Sequence, residues 1–199
     1  MSKRLIKDEV DRFHDYNLHA SSRTIYMGSE LYSDDGSESG TDGLMAEKFL
    51  KNITILESVS ADPITIILNN TGGDPNHGLA IYDAIKACKA IVTIKVFGNA
   101  ASMGSVILQA ANKRIMSPNA VQLIHYGTLS VDGHAKTTYK IADENKRMDK
   151  WMEKMYLSKI QAKHPNYTLV ELQKLLDHDT FLTAQESVRL GLADKILGV

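Results

Sequence analysis

The sequence has one cysteine, four prolines and almost no excess of either charge, and these shortages exclude several classes of protein. The lone thiol, Cys88, rules out an intrachain disulfide and a cysteine-built metal cluster, and its spacing suits a core-facing position on a helix. With 23 Lys and Arg against 24 Asp and Glu, the formal net charge is -1, so no global field directs the chain to nucleic acid or to an anionic membrane. No apolar run approaches the roughly 20 residues that cross a bilayer, and Met1–Glu9 lacks the apolar core of a secretory signal. A cytoplasmic protein is expected. No His-Glu-x-x-His or comparable ligand spacing offers a metal site, and the Gly-Gly loop at 72–73 lacks the Lys and Ser/Thr of a phosphate-binding Walker sequence.

What is present suffices for one substantial core: 199 residues, 43% of them hydrophobic, are expected to form a single domain over 1–199. Residues 1–18 are charged and carry only Leu5, Val10 and Phe13 as spaced apolar positions, which predicts a mobile arm or a short helix. Thr24–Met27 is a short β-type run, and the Ser-, Gly- and acid-rich stretch over 32–43 predicts a flexible surface loop. Met45, Phe49, Ile53 and Leu56 recur at helical spacing. Ile64–Leu68 is apolar on both faces, as in an interior strand of a covered parallel sheet. A helix with Ile81, Ala84, Ile85 and Cys88 on its core face follows, then a strand over Ile91–Phe97 and shorter strands at Arg114–Met116 and Val121–Ile124.

From 135 to 163 the composition is strongly helical, with Met148, Trp151, Met152, Met155 and Tyr156 along one side and a stop before Pro165. A helix of that length projects from the domain, packs against another subunit or runs through the core. Thr168–Glu171 and Thr183–Glu186 are capping boxes that open two more helices, and Leu192–Leu197 predicts a closing strand. Strands alternating with helices describe an α/β fold of parallel character.

The chemistry concentrates at Gly98–Ser105, where the strand over Ile91–Phe97 gives way through a turn to a helix. A serine at such a junction faces the unpaired N–H groups of the helix start. Ser102 is therefore either a helix cap or a nucleophile. A nucleophilic serine needs a base, and the base needs a carboxylate to fix its tautomer. Of the seven histidines only His125 ends an apolar strand; Asp177 and Asp179 both lie in the turn before Phe181, and spacing alone does not choose between them. Gly72-Gly73 and the N–H of Met103 could supply the donors that acyl transfer requires.

These motifs occur in an order that resembles the proteolytic subunit of the Clp ATP-dependent proteases. The similarity runs from about Thr24 to Leu197 and rests on Asn69–Gly73, His77–Asp83, Gly98–Gly104, Leu123–His125, Asp179–Ala184 and Gly191–Leu197. It implies a crotonase-like spiral of repeated β-β-α units with a projecting handle helix over 135–163. It further implies Ser102 as nucleophile, His125 as base, Asp179 rather than Asp177 as the carboxylate, and the N–H groups of Gly73 and Met103 as the oxyanion hole. Expected partners are copies of itself in two stacked heptameric rings (a tetradecamer), an ATP-driven unfoldase of the AAA+ type and polypeptide substrates, with no nucleic acid and no membrane. No cofactor is expected for hydrolysis itself. The sequence departs from relatives at Thr71, where they usually carry proline, and over Tyr126–Val131, where they continue Gln-Pro and then Gly-Gly. Two further readings differ in class: a crotonase-fold enzyme acting on acyl-coenzyme A through the two backbone donors, and an inactive ring subunit of a mixed assembly.

Overall fold

The computed structural model describes residues 7–28, 40–128 and 131–198. Residues 1–6 of the expected arm, 32–39 of the expected loop and Leu129–Ser130 of the stretch after His125 lie outside the described residues. Within them the chain forms helices α1 (Lys7–Tyr16), α2 (Gly43–Val59), α3 (Pro75–Ala87), α4 (Met103–Ala110), α5 (Ala135–Gln161), α6 (Leu169–Leu176) and α7 (Ala184–Leu190). Its strands are β1 (Leu18–His19), β2 (Thr24–Gly28), β3 (Ile64–Asn70), β4 (Val92–Ala101), β5 (Lys113–Met116), β6 (Val121–Ile124), β7 (Thr180–Thr183) and β8 (Lys195–Ile196).

The sheet runs β1-β2-β3-β4-β5-β8, with β6 added to β4 and β7 added to β6. All pairs are parallel except β1–β2 and β6–β7. The mixed α/β architecture fits the crotonase-like fold that the resemblance implies. Ile64, Ile66 and Leu68 are wholly buried, as a central strand requires, and α2 lays Phe49, Ile53 and Leu56 on the same core. Asp42 caps α2 by accepting from the Met45 N–H at 2.8 Å, so the end of the expected 32–43 loop is ordered. Asp74 does the same for α3, accepting from Asn76 and His77, with Pro75 at the first helical position where its missing N–H costs nothing. Cys88 stands at the C-cap of α3, half-buried against the core rather than on the helix face.

Three stretches differ from the sequence expectation in ways that shape the site. Gly98-Asn99 is not a turn: β4 continues to Ala101, and Gly98, at φ 80, lets the strand change neighbours. Its first half pairs with β5 through Thr93–Val96, and its second half with β6 through Asn99–Ala101. The Asn69 Oδ1 accepts the Asn99 N–H at this irregularity. Residues 180–183 form a strand, where a loop between two capped helices was expected. The closing strand is only Lys195–Ile196, because the N–H groups of Leu192 and Ala193 bond instead to the Ser187 carbonyl at the end of α7.

The long helix projects. It has 27 residues, roughly 40 Å at the α-helical rise, and its buried residues are Met152, Met155, Tyr156 and Ile160, all in the C-terminal half. These join Met103, Val106, Ile124, Leu172, Leu176 and Leu182 in a second apolar cluster beside the main sheet core. Met103 and Ile124 immediately adjoin Ser102 and His125.

Candidate active site

Ser102 occupies the single residue between β4 and α4. Ala101 is still paired with Leu123, the Ser102 N–H donates to the Leu123 carbonyl at 3.0 Å, and Met103 already begins the helix. The change of direction therefore falls on one residue, which adopts φ 50 and ψ -118. A non-glycine residue in that region is strained and found mostly where surrounding structure forces it. The Ser102 side chain makes no capping bond to the helix, so the helix-cap alternative fails. Its Oγ lies 2.8 Å from His125 Nε2.

His125 follows the last residue of β6, and its Nδ1 lies 2.8 Å from Asp179 Oδ1. The reason is register: antiparallel pairing of Ile124 with Thr180 places the next residue of one strand opposite the previous residue of the other. The pair is held from behind, since the Tyr126 N–H donates to the Leu176 carbonyl and the Thr180 hydroxyl to the Leu175 carbonyl, both at the end of α6. Asp177 instead serves as the C-cap of α6, its N–H bonded to the Gln173 carbonyl. The structure thus brings Ser102, His125 and Asp179 together and leaves Asp177 out. Of the other histidines, His19 reaches Ser22 Oγ, His134 caps α5 and His164 bonds the Arg189 carbonyl; none reaches this cluster.

An imidazole proton placed on Nδ1, toward the carboxylate, would leave Nε2 to accept from the serine hydroxyl. The His125 side chain is 19% exposed and that of Asp179 63% exposed. Beside them the Tyr126 hydroxyl donates to Glu153 Oε1 at 2.5 Å. Burial, then that carboxylate, pushes the Tyr126 phenol above its ordinary range, so it stays a donor. Asp149 on the same face of α5 is pushed up by burial and by the neighbouring charge of Glu153.

The glycine loop closes the other side. A Cβ on Gly72 would stand 2.6 Å from the Ser102 Cβ, so glycine is what allows the loop to lie against the serine. The Gly72 N–H is taken by Asn70 Oδ1 at 2.9 Å, its carbonyl accepts the Thr41 N–H, and the Asp74 N–H returns to the Thr41 carbonyl. Among the described residues no acceptor holds the N–H of Gly73 or of Met103. Asn70 and Thr41 are the supports of this loop, and sequence reasoning missed both. Asn70 had a local signal, an Asn two residues before a glycine in a turn, whereas Thr41 is brought in by a contact across 29 residues.

Against this geometry, the Clp protease family model matches residues 14–199. Among curated proteins, the ATP-dependent Clp protease proteolytic subunit 1 of Protochlamydia amoebophila (strain UWE25) is 32% identical over 178 residues, covering 87% of this chain and 82% of that protein. The chain belongs to the Clp protease family of serine-type peptidases.

Proposed function

We propose that this chain is a serine endopeptidase that cleaves unfolded polypeptides and short peptides through an acyl-enzyme, with Ser102 as nucleophile, His125 as general base and Asp179 as its orienting carboxylate. The observation that carries the reading is the continuous chain of contacts, Ser102 Oγ to His125 Nε2 at 2.8 Å and His125 Nδ1 to Asp179 Oδ1 at 2.8 Å. Ser102 Oγ attacks the scissile carbonyl carbon as its proton passes to His125 Nε2. The imidazolium so formed is stabilised by Asp179. The carbonyl oxygen becomes an oxyanion that accepts from the Gly73 and Met103 N–H groups; Met103 adds the positive end of α4. Collapse expels the amine, which takes the proton from His125, and leaves an ester on Ser102. Water, deprotonated by the same nitrogen, then hydrolyses that ester. No cofactor enters these steps.

The chain acts in this reading as the hydrolytic subunit of a stacked-ring chamber, heptameric in each ring, fed by an ATP-driven unfoldase. The projecting half of α5 supports it, because Tyr139 and Ile141 stand 69% and 40% exposed there in the isolated chain. An acyl-coenzyme A enzyme would use the two backbone donors but leave the Ser102–His125–Asp179 chain without a task. Labelling with a fluorophosphonate tests the reading. Modification at Ser102 that disappears in Ser102→Ala is expected, and an assembled particle that is never labelled would sink the proposal.

A further inference from the structure

A second hydroxyl bridge joins the same two elements as the nucleophile and the base. Ser105 lies three residues after Ser102 on α4, and Gln122 three residues before His125 on β6. Gln122 Nε2 donates to Ser105 Oγ at 2.8 Å, repeating in the core the hydroxyl-to-side-chain link that Ser102 and His125 make at the surface. The Tyr156 hydroxyl of α5 donates to the same Ser105 Oγ at 2.8 Å. Ser105 and Gln122 are 0% exposed and Tyr156 is 1% exposed. Burial pushes the Tyr156 phenol up against the opposing effect of the Ser105 bond, so it stays protonated and able to donate.

We infer that Ser105, Gln122 and Tyr156 are positioning residues: they set the distance between Ser102 and His125 and make it depend on the seating of α5. The inference rests on the hydrolytic reading of Ser102. Apolar side chains of similar size would fill the same space without desolvating three polar groups, and Gln122 Oε1 is buried with no partner among the described residues. What the polar trio adds is direction. Apolar contacts resist separation but tolerate sliding, whereas hydrogen bonds converging on one oxygen fix the rotation and axial shift of the first turn of α4. That turn also holds the Ser102 carbonyl, which accepts from the Ser105 N–H at 2.9 Å and the Val106 N–H at 3.2 Å. A shift of Ser105 is thereby passed to the backbone of the nucleophile.

The test uses the full chain with Tyr156→Phe, which removes a single oxygen, Ser105→Ala, Gln122→Met and the double variant Ser105→Ala/Tyr156→Phe. The readouts are kcat and KM on a fluorogenic peptide, the second-order rate of fluorophosphonate modification at Ser102, the thermal midpoint and the particle mass. In variants of wild-type mass, kcat and the modification rate are expected to fall together by about tenfold or more, with KM within about twofold. The double variant should fall no further than Ser105→Ala alone, because that change already removes the acceptor of the Tyr156 bond. A lowered thermal midpoint with an unchanged modification rate would overturn the inference and leave the trio a purely structural feature, as would independent, additive losses. Tyr156→Phe keeps the question answerable if Ser105→Ala does not fold. Wild-type protein that fails to label is a different failure, overturning the hydrolytic reading itself.

Discussion

Gly72→Ala separates the geometry of the site from its stability. The added Cβ would stand 2.6 Å from Ser102 Cβ, 3.1 Å from the Ala101 carbonyl oxygen and 3.2 Å from Ser102 Oγ. Carbon atoms in contact sit about 3.5–4.0 Å apart, so the loop and the serine must part by about 1 Å. The loop cannot easily retreat, since Asn70 and Thr41 hold both the N–H and the carbonyl of Gly72. The displacement therefore falls largely on Ser102, whose Oγ sits 2.8 Å from His125. A misplacement of about 1 Å costs on the order of 100-fold in rate, equivalent to about 2.7 kcal/mol of transition-state stabilisation. The backbone at φ 104 adds strain for alanine of about 1–2 kcal/mol. Gly133→Ala is the control, because Gly133 also has a positive φ, 135, but nothing within 4 Å of its Cβ position. Initial rates on a fluorogenic peptide, fluorophosphonate labelling and thermal midpoints should show Gly133→Ala near wild type in rate, and Gly72→Ala about 100-fold slower with a modest loss of stability. A Gly72→Ala enzyme within about threefold of wild-type kcat would refute the claim that this loop fixes Ser102 for the proposed reaction.

Asp179→Asn should lower kcat by about 100- to 10,000-fold with little change in KM, because an amide does not hold His125 in the tautomer that leaves Nε2 free; pre-steady-state acylation rates would check it. Asp194 gives a pH test. Burial pushes its carboxyl up, but hydrogen bonds from the Arg114 side chain and N–H, and the Arg114 charge, outweigh this and hold it below its ordinary value. The stabilisation is complete above about pH 4 and is lost as pH falls through the depressed value, so Asp194→Asn should be less stable by about 1 kcal/mol at neutral pH, with the deficit shrinking below about pH 4 in urea melts. Thr168→Ala removes the acceptor of the Glu171 N–H and should cost about 1 kcal/mol in the same melts.

The elements legible in the sequence are those whose cause is local. The Thr168 and Thr183 boxes both form as written, and the spacing of Met45, Phe49, Ile53 and Leu56 specifies α2 because a helix places those positions on one face. β7 was not legible because its pattern is weak: Leu182 alone is buried and Phe181 is 65% exposed. It is a strand because β6, about 60 positions earlier, offers it a ladder. The same non-local pairing puts Asp179 and not Asp177 beside His125, a difference that no spacing rule reveals. Gly98-Asn99 reads as a turn because that is its commonest use; here the glycine serves a strand that exchanges one neighbour for another.

The strained serine and the apolar helix behind it are parts of one arrangement. Ser102 at φ 50 costs about 1–3 kcal/mol relative to an ordinary backbone. Helix α4, with only eight residues, would not hold that conformation by itself. Val106, Ile107 and Leu108 are 2%, 0% and 0% exposed, and each such side chain contributes about 1.5–3 kcal/mol on burial. Taken as an upper estimate, since unfolded chains already bury some surface, the three together at the low end still exceed the strain at its high end. On the other side of the cleft, Ile124 is wholly buried and paired with Thr180, immediately before His125 and after Asp179. Each of the three residues therefore stands one position beyond a segment that a core or a strand pair already anchors. None needs to be buried to be held, which leaves the imidazole and the carboxylate partly exposed while the spacing of the three is fixed from below.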